Sequence, residues 1–409
     1  MRILHINENP GVVSGIEKYM RCWDEWSRES GIANKIVEFV TPGDTSSEPM
    51  LKFFAEQAVQ LCTGRDRDEK SSVAAGAIAE YAPDLIVFHN FDIEAEQDLI
   101  ERGIPTAKVM HDSRFVCLRG HGFELFSGKA CDRPMGVYCL LRCGGLGRDP
   151  DGRMRFHGLA RKKWGLNHLT RFNIVLTPSD YIRNQLIMNG QDGSRVHAFP
   201  PLMNMASGTG NGSNDGNTIL FCGRIDRGKG LDLLFEAVRH IRSTYRLRIV
   251  GDGKDLDKYK RLVQETGLAQ TTTFLGRLYG KDVENEYRNA TVIALPSRMP
   301  EAFCFSGFEA LTWGKPLVAF RIGAIKEWLS DGVGGYAVDA GNTRQFGQRM
   351  AELLQDKGLR ERIADAGKKY LETSFSVQSK GQKFAMRLRD LVNKHLPSPT
   401  EPESSETRT

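Results

Sequence analysis

The stretch Leu295–Phe320 reads LPSRMPEAFCFSGFEALTWGKPLVAF and contains two carboxylates eight positions apart, Glu301 and Glu309. Apolar runs at Thr291–Leu295 and Pro316–Phe320 flank it, which predicts the order strand, loop, helix, strand. This order places Glu301 in a loop at the carboxyl end of a strand. Ligands of parallel α/β sheets bind at that edge.

The helix of this stretch has a predicted start and a predicted end. Ser306 followed by Glu309 fits a capping box, and Gly314 is typical of a helix C-terminus. The helix N-terminus attracts phosphate. It offers the backbone N–H groups of Cys304, Phe305 and Ser306. Spacing alone leaves a second interpretation open, in which Glu309 only completes the cap and Glu301 is a solvated loop residue.

Length and composition limit the class of protein. The 409 residues predict two or three domains with ample cores. The net charge of +5 suits an anionic substrate or an acidic membrane surface and requires no nucleic acid. No apolar run is long enough to span a membrane, and MRILHINENP has no signal-peptide core. We therefore expect a cytoplasmic protein, with attachment to the inner membrane face as an option, and cysteines that are thiols or metal ligands.

Alternating strand and helix patterns occur twice, on either side of a Gly-, Ser- and Asn-rich segment. We predict two Rossmann-like α/β domains, a last amphipathic helix and a disordered tail. The predicted boundaries are 1–202, linker 203–217, 218–374, helix 375–396 and tail 397–409.

The first domain contains two candidate sites. Gly15 opens a helix after the first strand, which is a phosphate-binding geometry but also an ordinary first turn of an α/β domain. His111 and Asp112 follow a strand at Pro105–Met110. A histidine there often only satisfies hydrogen bonds, yet catalytic side chains also gather at this edge. Asp66-Arg67-Asp68 lies in a run of alternating charge and is interpreted as a solvated loop.

An insert at 113–148 follows His111 and should overhang the same edge of the sheet. It contains Cys117, Cys131, Cys139 and Cys143. Four thiolates are the ligand set of a structural zinc or iron–sulfur site, and His121 could replace one of them. The wide spacing leaves free or redox thiols as the alternative.

A basic, partly amphipathic stretch covers 151–172. It predicts either peripheral contact with anionic lipid or a lipid-linked acceptor, or a surface helix packed on the sheet.

The second domain begins with a strand and the loop Gly223–Gly230, GRIDRGKG. This loop nearly matches a P-loop, but Gly230 stands where the magnesium-binding Ser or Thr would be. Arg224 and Lys229 offer a planar fork and a point charge to one diphosphate. Two solvated cations on a Gly-rich turn are the alternative.

Several of these strings resemble those of retaining GT-B glycosyltransferases, in particular the large family four. The strongest matches are EAFCFSGFEA with WGKP and the GRIDRGKG loop, supported by SGIEK and by the His-Asp pair. Cys304 stands where that family usually has Gly, and Ser14 replaces the first Gly of its Gly-Gly-x-Glu entry. The resemblance implies two Rossmann-like domains that face each other across a cleft, with the last helix crossing back to the first domain.

The resemblance also implies an activity, namely transfer of a hexosyl group from a nucleotide diphosphate sugar to a carbohydrate or lipid-linked acceptor. Gly15, Gly223, Arg224, Lys229 and the helix start at Cys304–Ser306 would hold the diphosphate. Glu301 would bind sugar hydroxyls, Glu309 the ribose, and His111 would face the sugar. Asp112 is expected to orient the His111 ring or stabilise positive charge. Backbone around Arg277 and Leu278 would contact the base. No metal is expected for catalysis, because two cations can substitute for magnesium.

Three other functions stay open from the sequence. A GT-B epimerase of sugar nucleotides would need no acceptor. A silent binding or sensor module would use the cysteine insert. A P-loop nucleotidase is disfavoured by Gly230.

Overall fold

The computed structural model describes residues 1–9, 15–40, 59–62, 67–91, 93–124, 127–148, 154–156, 158–203 and 217–394. Several sequence predictions lie outside these ranges. They are most of the linker (204–216), the tail (397–409), Asp66, and residues 151–153 and 157 of the basic stretch.

Two seven-stranded sheets form the frame of the described chain. The first has the order β3-β2-β1-β4-β5-β8-β9, and all its strand pairs are parallel. Its strands are β1 (Arg2–Asn9), β2 (Ala33–Val40), β3 (Val59–Cys62), β4 (Leu85–Phe88), β5 (Thr106–Val109), β8 (Ile174–Thr177) and β9 (Val196–Ala198). A separate antiparallel pair consists of β6 (Leu146–Arg148) and β7 (Met154–Phe156). The central strands are apolar runs that are buried throughout, as expected for a parallel sheet covered on both faces.

The second sheet has the order β12-β11-β10-β13-β14-β16-β15, again with parallel pairs. Its strands are β10 (Thr218–Cys222), β11 (Arg246–Val250), β12 (Thr272–Gly276), β13 (Val292–Leu295), β14 (Leu317–Phe320), β15 (Ser330–Asp331) and β16 (Gly334–Val338). In each sheet the first strand along the chain is central and the strand order reverses beside it. The predicted fold class, two Rossmann-like α/β units, is confirmed.

Helices cover both sheets. Those of the first half are α1 (Gly15–Glu29), α2 (Arg67–Tyr81), α3 (Ile93–Ile100), α4 (Val137–Arg142), α5 (Leu159–His168) and α6 (Asp180–Met188). Those of the second half are α7 (Leu231–Val238), α8 (Leu256–Glu265), α9 (Lys281–Asn289), α10 (Phe305–Thr312), α11 (Ile325–Trp328), α12 (Thr343–Gln355), α13 (Lys357–Ser374) and α14 (Val377–Asn393).

The last helix, α14, packs on the first half of the chain. Ala385 and Leu388 are fully buried and share one apolar cluster with Trp23 and Trp26 of α1. Burial of large side chains stabilises a contact by about 1.5–3 kcal/mol each. The C-terminal helix is thus held to the first sheet by its apolar face.

One sequence interpretation needs correction here. Arg67 and Asp68 do not lie in a loop, because α2 begins at Arg67, which pairs with Asp98 at 2.8 Å. In the basic stretch, Leu166 of α5 and Leu169 directly after it are buried, so this segment packs on the first half with its apolar face, as one of its two interpretations predicts. Trp164 is 48% exposed and stays on the surface. No helix of the described chain is both long enough and apolar enough to cross a bilayer.

Candidate functional site

The site centres on the loop between β13 and α10, at the carboxyl edge of the second sheet. Glu301 lies in this loop and is only 6% exposed, and Glu309 lies inside α10. Gly323 holds the loop from the next strand end, since the N–H of Ala324 donates to the Glu301 carbonyl at 2.9 Å. At Gly323, with φ +53°, a Cβ would lie 2.4 Å from that carbonyl oxygen, so only glycine fits.

The predicted capping box is wrong. The helix begins at Phe305, and its N-cap is Cys304 in the left-handed region (φ 76°) without a side-chain cap hydrogen bond. Ser306 therefore lies within the first turn. Glu309 is drawn to partners outside its helix and does not complete a cap. The left-handed turn at a non-glycine residue costs about 1–3 kcal/mol, a strain typical of functional sites. The N–H groups of Cys304, Phe305 and Ser306 precede the first hydrogen-bonded turn of the helix, so they remain available to an anion.

A buried lysine neutralises Glu301. The Lys229 ammonium donates to both carboxylate oxygens, at 2.8 and 3.0 Å, and the Ser297 hydroxyl donates to one of them. Burial is the largest single effect on the pKa of Lys229 and lowers it, but the Glu301 charge, the nearby Cys304 and the hydrogen bonds to Glu301 together raise that pKa. Lys229 is therefore a fixed cation beside Glu301.

A second lysine, Lys18 of α1, bonds Glu309 from the opposite half of the molecule. Burial is again the largest single effect and lowers the pKa of Lys18, but the charge and hydrogen bond of Glu309, with Cys222 and Cys22 nearby, together raise that pKa. The Tyr287 hydroxyl donates to the other Glu309 oxygen at 3.1 Å. Each carboxylate of the pair thus has its own lysine, one from each half.

The Gly223–Gly230 loop packs directly under the Glu301 loop. The Gly228 carbonyl accepts from the N–H groups of Arg298 and Met299, at 2.8 and 3.0 Å. Gly230 is left-handed (φ 72°), and a Cβ there would lie 2.0 Å from the Pro296 carbonyl oxygen. Close packing therefore accounts for glycine at the position where a P-loop has Ser or Thr.

Arg224 does not join Lys229 at Glu301. Its exposed guanidinium bonds Asp226 within the same loop. The N–H of Gly223 donates to Val250 at 3.0 Å. The predicted fork at the diphosphate thus requires Arg224 to turn away from Asp226.

His111 follows β5 and hydrogen-bonds His89, which follows β4. The distance between His111 Nε2 and His89 Nδ1 is 2.8 Å. Burial, with Arg114 and Lys108 nearby, lowers the pKa of His111 to about 3, so the ring is neutral at physiological pH. Of the two roles expected for Asp112, orientation of this ring is not seen, because Asp112 bonds Arg114 at 2.7 Å, and stabilisation of positive charge stays a prediction.

The two halves of the molecule are in contact around the site. A Cβ at Gly15 would lie 3.4 Å from the Phe305 ring, at the start of α10. Glu327 of α11 accepts from the N–H groups of Asp180 and Tyr181 at the start of α6. The insert reaches across too, since a Cβ at Gly122 would lie 3.4 Å from Pro300. The insert therefore abuts the loop that holds Glu301.

The residues predicted for the base lie farther along the same edge. Arg277 and Leu278 follow β12, two strands from β10. Arg277 is exposed and bonds the Tyr279 hydroxyl at 3.4 Å, whereas Leu278 packs against the apolar cluster of the second half that contains Tyr287 and Phe308.

The four cysteines of the insert form no disulfide in the described chain, and they line one cavity of about 20 Å³, with Tyr181 and Gln185 of α6 on its other side. Burial raises the pKa of Cys131. Within the described ranges no group of three or more His, Cys, Asp or Glu side chains is arranged to hold a metal. The cysteines share a cavity but do not form a ready-made metal site.

Sequence reasoning missed Lys18, Tyr287, Ser297 and His89. Of these, His89 was within reach, since it follows a buried strand as His111 does. Lys18 and Tyr287 reach Glu309 only through tertiary packing.

Residues 209–370 match the profile of the family described as Glycosyl transferases group 1. The chain is 28% identical over 232 residues to a lipopolysaccharide 1,2-N-acetylglucosaminetransferase of Salmonella typhimurium, covering 54% of this chain and 58% of that protein. It is 33% identical over 156 residues to a phosphatidyl-myo-inositol mannosyltransferase of Mycobacterium leprae, covering 37% and 41%. The chain thus spans about half of the length of the curated relatives it matches.

The crystal structure of Anabaena Alr3699/HepE in complex with UDP and glucose has a TM-score of 0.72 to this chain at 18% identity, covering 95% of this chain and 100% of that one. This likeness places the fold among the GT-B folds of glycosyltransferases.

Proposed function

We propose that the protein is a glycosyltransferase that moves a hexosyl group from a nucleotide diphosphate sugar to an acceptor hydroxyl. We further propose a retaining reaction of family four, in the biosynthesis of cell-envelope polysaccharide or another glycoconjugate. One observation carries the proposal. Glu301, its partner Lys229 and the open N-terminus of α10 converge at the carboxyl edge of the second sheet.

This arrangement addresses the two charges that glycosyl transfer creates. The departing diphosphate gains negative charge, and Lys229, Arg224 and the N–H groups of Cys304–Ser306 would stabilise it. The sugar carbon gains positive charge, and Glu301 would bind sugar hydroxyls and favour that cation. Since Lys229 is held by Glu301 before any donor binds, the cation is already positioned.

The remaining roles follow the geometry of the edge. Glu309 would accept hydrogen bonds from the ribose in place of its present bond from Lys18. The backbone near Arg277 and Leu278 would contact the base. His111 is neutral and would face the sugar from the first half, where it would accept a hydrogen bond from a sugar hydroxyl. Gly15 and Gly223 would let backbone approach the diphosphate.

The donor and acceptor are proposed from the relatives. UDP and glucose are bound in the Anabaena structure, and the curated relatives are named for lipopolysaccharide and phosphatidyl-inositol. We propose a UDP-linked donor and a glycan or lipid-linked acceptor beside the insert. Peripheral membrane contact is proposed through Trp164 with the neighbouring cations Arg161 and Lys163. Co-sedimentation with anionic vesicles that is lost in Trp164→Ala tests it.

A structural zinc or iron–sulfur group at the four cysteines stays a separate proposal. The donor set fits either group. Binding would have to draw the thiols together around the cavity that they line. No metal is assigned to the transfer reaction itself.

Thermal stabilisation by UDP, GDP and ADP, with and without EDTA, tests the proposal, since a ligand that binds the native state raises its stability. We expect one nucleotide to raise Tm equally in both conditions. Turnover of the matching sugar nucleotide should then require an acceptor, and NMR of the product should show the donor's anomeric configuration. Nucleotide release without acceptor would favour an epimerase, and no shift with any nucleotide would favour a silent module.

A further inference from the structure

A buried chain of three histidines leads inward from the site. His111 Nε2 lies 2.8 Å from His89 Nδ1, and His89 Nε2 lies 3.0 Å from His5 Nδ1. The ring centroids of His5 and His89 lie 5.3 Å apart with planes inclined by 28°, and those of His89 and His111 lie 5.1 Å apart with planes inclined by 22°, so the rings meet edge to edge through their nitrogens. His5 lies within β1, and the other two follow the neighbouring strands β4 and β5. His5 Nε2 and His111 Nδ1 are the two ring nitrogens that take no part in these histidine–histidine hydrogen bonds.

All three rings are neutral. Burial is the largest cause of the lowered pKa at each of them, with a value of about 4 for His5 and about 3 for His111. The charged groups that face them are cations, Lys108 toward His89 and His111 and Arg114 toward His111. The other flanking rings are Trp23 beside His5 and Tyr19 beside His111. Among the described residues that shift the pKa values of the three rings there is no carboxylate. The two nearby carboxylates pair elsewhere, Asp112 with Arg114 and Glu96 with Lys108.

Because the three rings are neutral, the hydrogen bonds between the histidines must all run in one direction. A neutral imidazole has one donor and one acceptor nitrogen. Three such rings in series must therefore all point the same way, and the group at one end decides which way.

Asn34 is that end group. Its Nδ2 donates to the Asp24 carboxylate at 3.1 Å and to the Ser27 hydroxyl. Because a carboxylate only accepts, this bond fixes which amide atom is nitrogen. The remaining Asn34 Oδ1 is buried and forms no other hydrogen bond in the described chain. The Asn34 side chain acts on His5, since it raises the pKa of His5 against the larger lowering by burial. His5 Nε2 is the ring nitrogen left for this oxygen.

We infer that Asn34, His5 and His89 are positioning residues that set the tautomer of His111. His5 Nε2–H donates to Asn34 Oδ1, His89 Nε2–H donates to His5 Nδ1, and His111 Nε2–H donates to His89 Nδ1. His111 Nδ1 is thereby left as a hydrogen-bond acceptor at the site. The opposite direction would set the lone pair of His5 Nε2 against that of the Asn34 oxygen. The role of this acceptor rests on the proposed function, in which a sugar hydroxyl donates to it.

The direct test is nitrogen NMR of the full chain labelled at histidine, without ligand. Loss of one ring's signals in His111→Asn assigns them. We expect a protonated Nε2 and an unprotonated Nδ1 in His111, and the reverse pattern would overturn the inference. This result is independent of turnover, so an inactive protein with the expected tautomer would refute the proposed function alone.

The matched variants are Asn34→Leu and Ser27→Ala. Both remove the hydrogen bond between Asn34 and Ser27, but only Asn34→Leu removes the terminal acceptor. We expect Asn34→Leu to mix the two His111 tautomers and to lower kcat about tenfold or more, with donor KM nearly unchanged, because a wrong tautomer disables a correctly placed ring. Ser27→Ala should retain the wild-type tautomer and kcat. Equal effects of the two variants would indicate a merely structural role. If Asn34→Leu does not fold, the tautomer of the unaltered chain still decides.

Discussion

Replacement of Lys229 tests the central electrostatic argument. Lys229 and Glu301 have side chains that are 19% and 7% exposed, so the lysine acts where water screens little. A charge-assisted hydrogen bond contributes about 1.5–3 kcal/mol, which corresponds to about 10–150-fold in Kd. In Lys229→Met the diphosphate also meets an unpaired Glu301 carboxylate. We therefore expect UDP affinity to fall by the upper part of that range.

The assay is isothermal titration in the presence of EDTA, with UDP and with uridine. Uridine lacks the diphosphate, so its Kd should change little in Lys229→Met. The double variant Lys229→Met/Glu301→Gln should recover part of the UDP affinity, because it removes the repelling carboxylate. Lys326→Ala, an exposed lysine of the same half, is the charge-matched control. An equal loss for uridine, or a UDP Kd within about threefold of wild type, would refute the reasoning.

Three further predictions concern the loop, the buried histidines and the insert. Gly323→Ala should unfold at a lower Tm than Gly332→Ala and lose turnover, because both glycines are left-handed but only Gly323 crowds the Glu301 backbone. Thermal scans and initial rates check this, and similar losses in both variants would contradict it. Burial lowers the pKa of His5 from 6.5 to about 4, so the unfolded chain takes up a proton that the folded chain does not. The contribution of neutral His5 to the free energy of unfolding is therefore complete above pH 6.5 and is lost as the pH falls below it. Urea titrations should show that, between about pH 7.5 and 5.5, the free energy of unfolding of wild type falls by about 1.4 kcal/mol more than that of His5→Gln. The variant of an exposed histidine, His240→Gln, is the control and should follow wild type. Elemental analysis of the purified chain should find about one zinc, or iron with sulfide, that is lost in Cys117→Ser/Cys143→Ser. The nucleotide-dependent Tm shift should persist in that variant, and a metal-free wild type would exclude the site.

Local patterns were enough to predict the fold class. Buried apolar runs such as Val292–Leu295 and Leu317–Phe320 alternate with amphipathic helices in both halves, and this period is visible in the sequence. The position of Glu301 at a strand end followed from the same order. The start of α10 did not, because Ser306 offered a standard cap while the backbone enters the helix through a left-handed Cys304.

The partners of the site residues were beyond the sequence for a physical reason. Lys18 and Glu309 are separated by 291 positions, and Lys229 and Glu301 by 72, so only tertiary packing decides that they meet. Arg224 shows the converse, since its nearest charge, Asp226, is local and holds it away from Lys229. A motif thus predicted which residue types gather at the edge but not which charges pair there.

The pairing of each site carboxylate with a lysine has a consequence for turnover. Under the proposed function, a donor that engages Lys229 would replace an existing ion pair, so its affinity would reflect the difference between two anions competing for one ammonium. After transfer, the Glu301 carboxylate would remain beside the nucleotide product at the high effective concentration of a group on the same chain. Its return to Lys229 would then displace the product, so the same contact that lowers affinity for the donor would speed the next cycle.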